Sequence, residues 1–270
     1  MDVQQTHSHP HGSVGGAHLP FADRIRIVGS DDVFSWLSRG WRDFVRSGMA
    51  SAGYGAIFAL AGYVIAVGLA RLDSPFLLLP VAAGFTLVAP VLAIGFYRMS
   101  KTLEGGGQPT FNEAMTAAQA NGFHILTAGL VLMLYGLIWV RVATLIFALM
   151  FPATSFSFDA MLAVLPTTAG LLFLIVSVAV GAAFALVAFL FCAVALPMMM
   201  DRPGTDFFTA ALVSMTAVLR NPGPMLLWAG IIAVVTAAGM AVFFLGLIIA
   251  MPLIGHASWH AYRALVKPAE

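Results

Sequence analysis

From Met49 to Met200 this chain carries eight charged side chains, Arg71, Asp73, Arg98, Lys101, Glu104, Glu113, Arg141 and Asp159, and the stretches between them are long and apolar. A helix needs about 20 such residues to cross a hydrocarbon core of roughly 30 Å. Inside that core only structures that satisfy their own backbone hydrogen bonds persist. The constraint selects an all-α fold, a polytopic bundle of membrane helices with the lipid bilayer as first partner. Composition agrees: 60% of the 270 residues are hydrophobic and 9% are charged, against roughly 25% charged in soluble domains. A soluble enzyme, a disordered chain and a nucleic-acid binder are excluded on these grounds. The single cysteine, Cys192, leaves no internal disulfide, no CxxC pair and no cysteine zinc site.

Six spans fit. The first four are Met49–Ala70, Phe76–Tyr97, Phe123 to about Phe147, and about Thr168–Leu196. The uncharged stretch from Met225 to Trp259 is too long for one crossing, and it splits near Gly239 into a fifth span and a sixth that ends by Tyr262. Tyr135 and Trp139 read as an aromatic belt at the far end of the third span, where Arg141 also reaches the interface. With six spans, every Lys and Arg except Arg71 and Arg141 falls on one side, 11 against 2 of the 13. The positive-inside rule then puts both ends in the cytoplasm. No apolar region with a cleavage site opens the chain, so the first span is expected to serve as an uncleaved insertion signal.

Three amphipathic segments precede three hairpins. In the first, Phe34, Leu37, Trp41 and Phe44 share one helical face while Arg39, Arg42 and Arg46 share the other. This helix, from about Asp32 to Ser47, is expected to lie at the interface with its aromatic face in the acyl boundary and its arginines on lipid phosphates. In the second, Phe111, Met115, Ala118 and Gly122 recur behind a Thr110–Glu113 capping box. In the third, Phe208, Leu212, Met215 and Leu219 align after an N-cap at Thr205 or Asp206. Each hairpin has a proline near the end of its second span, Pro90, Pro197 and Pro252. The expected organisation is a disordered His-rich cytoplasmic arm, 1–24, then a six-span domain, 25–267, with pseudo-repeats at about 31–104, 109–202 and 205–266. Small residues four apart, Ala52 and Ala56, Gly55 and Ala59, Gly181 and Ala185, suit close helix packing.

The most distinctive string is Gly255-His256-Ala257-Ser258-Trp259-His260-Ala261-Tyr262-Arg263. His256 and His260, at i and i+4, face the same way. They can share a metal ion or haem, with His124 as a third imidazole, or hydrogen-bond between helices. No Glu follows His256, so the metalloprotease motif is absent. His7, His9, His11 and His18 in the arm can bind a transition metal loosely or do nothing specific. No phosphate-binding loop, dinucleotide fingerprint or nucleophile elbow is present. The middle of every span lacks Asp, Glu and Lys, which argues against a proton-coupled pump.

The string Met251–Arg263, with its Gly-His-x-x-Trp-His-x-Tyr-Arg core, the segment Pro90–Lys101 and the threefold plan together resemble a bacterial family of uncharacterised six-span integral membrane proteins. Some of its members carry the name cytochrome c oxidase subunit I. That subunit holds haems and copper with more spans and more histidines than this chain has, so the name does not describe it. The resemblance implies residence in the bacterial inner membrane. Three functions stay open: a non-enzymatic scaffold or accessory subunit packing on other membrane proteins or on itself, with no cofactor; a transporter or binder of a small neutral or lipid-like ligand; and a metal- or haem-linked accessory of a respiratory oxidase.

Overall fold

A computed structural model of the chain describes residues 19–72, 77–151 and 163–268. Among these residues the secondary structure is helical, apart from an isolated antiparallel bridge between Ile25 and Val266. Helix α1, Ser30–Arg71, is two helices joined at Gly48, whose φ of 50° is open to glycine without a Cβ clash. Helices α2, Leu78–Leu92, and α3, Ile94–Glu104, follow, with a break at Ala93. The second unit has α4, Phe111–Thr116, a 3-10 turn over Ala117–Asn121, α5, Gly122–Met150, α6, Thr168–Cys192, and α7, Ala195–Asp201. The third has α8, Phe207–Arg220, α9, Pro222–Ala241, and α10, Leu247–Leu265. Among the described residues five helical stretches are long and apolar enough to cross a membrane: Ser30–Arg71, Pro80–Glu104, Phe111–Met150, Thr168–Asp201 and Pro222–Ala241.

The helices differ locally from the sequence expectation. The lead-in of the second unit is not one helix to Gly122. It is a short α-helix that tightens into 3-10 geometry before α5 begins. Its Thr110–Glu113 capping box forms, with Glu113 N donating to Thr110 Oγ1 at 3.2 Å and Thr110 N to Glu113 Oε2 at 3.1 Å. Asp206, not Thr205, caps α8, accepting from Thr209 N at 2.9 Å. The second spans do not run straight to their ends. Pro197 cannot donate to the carbonyl of Ala193, and the helix breaks at Ala193–Val194. The long C-terminal apolar stretch parts where expected, between Ala241 and Leu247, at a turn with Phe243 and Phe244 at positive φ.

The core gathers at one end of the molecule. There α3, α7 and the last turns of α10 touch one another, and nearly all their apolar side chains are buried, Phe96, Met99, Met199 and Tyr262 among them. Around them the lead-in helices hand on from one unit to the next. Asn121 donates to the carbonyls of Met199 and Thr205, and Asn221 to those of Arg26 and Ala217 while accepting from Val28 N. Both asparagines have nearly the same backbone conformation, φ −148°, ψ 53° and φ −130°, ψ 52°. The same conformation thus recurs at the start of α5 and of α9.

The lead-in helices turn their predicted apolar faces outward. Phe34, Trp41, Phe111, Met115, Phe208, Leu212 and Leu219 are exposed, and Leu37, Phe44 and Met215 are half-buried. Arg39, Arg42 and Arg46 are exposed as well. A third face of the first helix, Val33, Trp36, Gly40, Asp43 and Ser47, packs inward. Trp36 meets Trp228 edge-on at 5.9 Å.

Residues 1–18, with His7, His9, His11 and His18, lie outside the described residues. Residues 19–24, which the sequence reading places in the arm, make contacts with the helices. The Pro20 carbonyl accepts from Thr216 Oγ1 at 2.7 Å, Arg220 donates to the Ala22 carbonyl, and Arg26 N and Lys267 N bond to Leu265 O and Arg24 O across the chain ends.

The longest contact is between α1 and α10. A small-residue stripe, Gly40, Ser47, Ser51, Gly55, Ala59 and Gly62, is buried along it. A Cβ at Gly40 would sit 2.7 Å from Ala257 N, and one at Gly55 2.7 Å from Ile248 O, the carbonyl that Pro252 leaves without its helical donor. Gly55→Leu is therefore expected to lower stability in detergent by about 1–3 kcal/mol. Gly230→Leu, at a site with nothing within 4 Å, is expected to leave the melting temperature within a degree or two. Thermal melting of the two variants beside the parent checks both.

Candidate functional site

The C-terminal string lies on α10, and nearly every member joins a different helix. Gly255 lets the ring of Phe96 approach to where a Cβ would be, 2.5 Å from Phe96 Cδ2. His256, fully buried, has Nε2 at 2.8 Å from Ser51 Oγ and Nδ1 at 2.8 Å from Ser100 Oγ. Ser100 Oγ in turn donates to Asp43 Oδ2 at 2.7 Å, and His260 Nε2 lies 2.8 Å from the same oxygen. One turn further, Trp259 Nε1 and Arg263 both donate to Glu104 at 3.2 Å. Tyr262 donates to Asp201 at 2.7 Å, and Lys101 pairs with Asp201 at 2.8 Å. Residues from α1, α3, α7 and α10 thus meet in two adjoining polar clusters.

Proton counting orients the inner chain. A carboxylate only accepts, so Ser100 spends its one hydrogen on Asp43 and must accept from His256 Nδ1–H. The neutral imidazole then has a bare Nε2, which accepts from Ser51 Oγ–H. Every link points toward Asp43, and His260 supplies a second donor to it. Burial raises the Asp43 pKa, but the hydrogen bonds from His260 and Ser100 and the nearby imidazoles outweigh that and hold it below the ordinary carboxylate range. Asp43 sits in the lead-in helix, before the bend at Gly48.

Three chemical readings can be weighed against this geometry. Ser51 and His256 have the spacing of a nucleophile and its base, but Ser51 is fully buried against α10 and offers no face to a substrate. A metal reading needs a free ring nitrogen, and both nitrogens of His256 are engaged with serines. His124 stands at the start of α5, half-buried and edge-on to Phe123 at 5.3 Å. Among the described residues no three His, Cys, Asp or Glu side chains are grouped to hold one ion. What the arrangement does is fasten helices. The motif was legible in the sequence as an unusual string; its acceptors Asp43, Glu104 and Asp201 were not. Asp43 lies among Arg39, Arg42 and Arg46 and reads as part of a solvated face. The signal that marks it is the small-residue stripe in which it falls.

The class is then defined: a multi-pass, all-helical integral membrane protein with transmembrane helices, whose polar residues join those helices at one end. Residues 78–201, from α2 to α7, match the family described as "Predicted integral membrane protein (DUF2189)". The match agrees with the resemblance seen in the sequence at the level of an integral membrane family, and the α10 string lies outside it. No curated protein and no solved structure matches the chain.

Asp43→Ala strands two donors in a buried site and is expected to cost about 3 kcal/mol. Because the folded carboxyl titrates below its unfolded value, the stabilisation is complete above the ordinary carboxylate range. It is lost as pH falls through the lowered value. Melting curves of parent and variant are expected to converge at acid pH. The double change His256→Gln and His260→Gln keeps a donor and an acceptor at each position and is expected to cost about 1–2 kcal/mol. Elemental analysis of the purified protein is expected to find no stoichiometric metal; one equivalent that the double variant loses would favour ligation.

Proposed function

We propose that the protein is a six-span inner-membrane scaffold or accessory subunit, without catalysis of its own, that packs through its fourth span on a transmembrane helix of another protein or a second copy. Ile25 pairs with Val266, so the two ends of the described chain lie together. That supports an even number of crossings and makes α10 the sixth span. The charge count supports cytoplasmic ends, and the resemblance of the C-terminal string supports the bacterial inner membrane.

One observation carries the scaffold reading. Of the 25 residues of α6, only Gly170, Ala188 and Cys192 are buried. Its outer face, Leu172, Ile175, Ala179, Ala183 and Leu186, is exposed throughout. Ala179 and Ala183 are four apart, the spacing that lets two membrane helices approach closely. At the other end the Asp43–His256 chain joins α1, α3 and α10 through hydrogen bonds, which supports a structural role for the C-terminal string.

A photoreactive residue at Ile175 or Leu186, introduced one at a time in the cell membrane, is expected to yield a discrete protein adduct. The same probe at Phe123, on the lead-in side, is expected to give lipid adducts. Lipid adducts alone at both α6 positions would overturn the scaffold reading. For topology, a cysteine at position 269 on a Cys192→Ala background is expected to resist labelling from outside intact cells; labelling there would overturn six spans.

A further inference from the structure

The first lead-in helix, the part of α1 before Gly48, carries a charged patch that the scaffold role leaves unused. Three contacts on one face fix its roll. Trp36 meets Trp228 of α9 edge-on at 5.9 Å. Gly40 lies so close to α10 that a Cβ there would sit 2.7 Å from Ala257 N. Asp43 Oδ2 lies 2.8 Å from His260 Nε2. With that face held against the bundle, the other two are turned outward. Phe34, Trp41 and Val45 are exposed on one, and Arg39, Arg42 and Arg46 on the other.

The structure changes the charge balance of this helix. Asp43 is the one acidic residue between Val33 and Arg46, and on the arginine face it would offset one of them. It points inward instead, where Ser100 and His260 hold it. Asp32 is spent on the helix start, accepting from Gly29 N at 2.8 Å. Among the described residues Arg39, Arg42 and Arg46 make no ion pair and no hydrogen bond. Arg202, Arg220 and Arg263, by contrast, are bonded to other parts of the chain. Three unmatched guanidinium groups therefore stand along about 10 Å of helix.

Charge and neighbouring surface together select the partner. Guanidinium groups call for phosphate or carboxylate. A soluble acidic protein or a nucleic acid would neutralise them but leave Phe34, Trp41 and Val45 in water. An anionic phospholipid supplies both parts, phosphates for the arginines and acyl chains for the apolar face. We propose that this helix is a docking surface for anionic phospholipids, in which Arg39, Arg42 and Arg46 bind headgroup phosphates while Phe34, Trp41 and Val45 rest on the acyl chains. Such a surface requires α1 to lie along the bilayer up to Gly48, and it is independent of what packs on α6.

The test uses the full chain in neutral detergent, with native mass spectrometry of bound phosphatidylglycerol against zwitterionic phosphatidylethanolamine of matched acyl chains. Each basic residue near an anionic surface strengthens binding about fivefold, so the parent is expected to prefer phosphatidylglycerol by about tenfold or more. Arg39→Gln, Arg42→Gln and Arg46→Gln combined are expected to lower that preference by about fivefold or more. The melting temperature is expected to stay at the parent's value, because none of the three side chains is bonded to the fold. A control that removes equal charge elsewhere, Arg24→Gln, Arg26→Gln and Lys267→Gln combined, is expected to keep the preference within about twofold. Glycerophosphoglycerol, the same headgroup without acyl chains, is expected not to displace the lipid at equal concentration. No preference in the parent, a preference that survives the first triple change, an equal loss in the control, or displacement by the chain-free headgroup would each overturn the proposal. Should the first triple variant fail to fold, Arg42→Gln alone, expected to lower the preference about threefold to fivefold, decides.

Discussion

Asp43 is a carboxylate taken out of water by a helical bundle, and two donors from two other helices make that tolerable. A buried charge without partners is strongly destabilising. Once Asp43 is committed to the interior, Ser100 of α3 and His260 of α10 must be delivered to it. Ser100 draws His256 into register, and His256 draws Ser51. Steps of four positions, from Asp43 to Ser47 and from Ser47 to Ser51, keep this face of α1 toward α10 through the bend at Gly48. The glycines on either side, Gly40 and Gly55, bring the two backbones close enough for the side chains to meet. The polar chain and the small-residue stripe are thus one device: small residues set the distance, and the hydrogen bonds set the register.

The rest of the bundle is arranged around that axis. The second cluster, Lys101–Asp201–Tyr262 with Glu104–Arg263–Trp259, repeats the principle one turn nearer the chain end and brings in α7. Its charged members are more exposed, so each ion pair contributes less. The asparagines before α5 and α9 tie each lead-in to the next unit, and the Ile25–Val266 bridge closes the circle. The outcome is a molecule knit tightly at one end. Helices α5 and α6, by contrast, meet their surroundings with apolar surface. The proposed scaffold role rests on that division between helices fastened by hydrogen bonds at one end and the exposed apolar face of α6.

Much of this was legible from local signals. Span positions follow from charge spacing, the capping box at Thr110 from its three-residue offset, and the parting of α9 from α10 from the length of an uncharged run. What was hidden is non-local. Asp43 and His260 are 217 residues apart, and by periodicity alone Asp43 reads with the arginines around it. The first lead-in helix shows an apolar face and a basic face to any periodicity argument. Its decisive face, with Val33, Trp36, Gly40, Asp43 and Ser47, mixes large, small and charged residues and averages to nothing. The ordering of residues 19–24 was equally unreadable, because their partners are Thr216 and Arg220.

The central claim is that Ser51, His256, Ser100 and Asp43 act as one unit in holding α1, α3 and α10 together. A double-mutant cycle on Ser51→Ala and Ser100→Ala tests it most directly, because the two serines meet only through the opposite nitrogens of His256. Stability is measured by reversible unfolding in mixed micelles. A single cooperative chain predicts a coupling energy of roughly 0.5–3 kcal/mol between the two changes. Additive effects, within about 0.3 kcal/mol, would mean that the two bonds are independent contacts and that the axis described here is not what holds the helices in register.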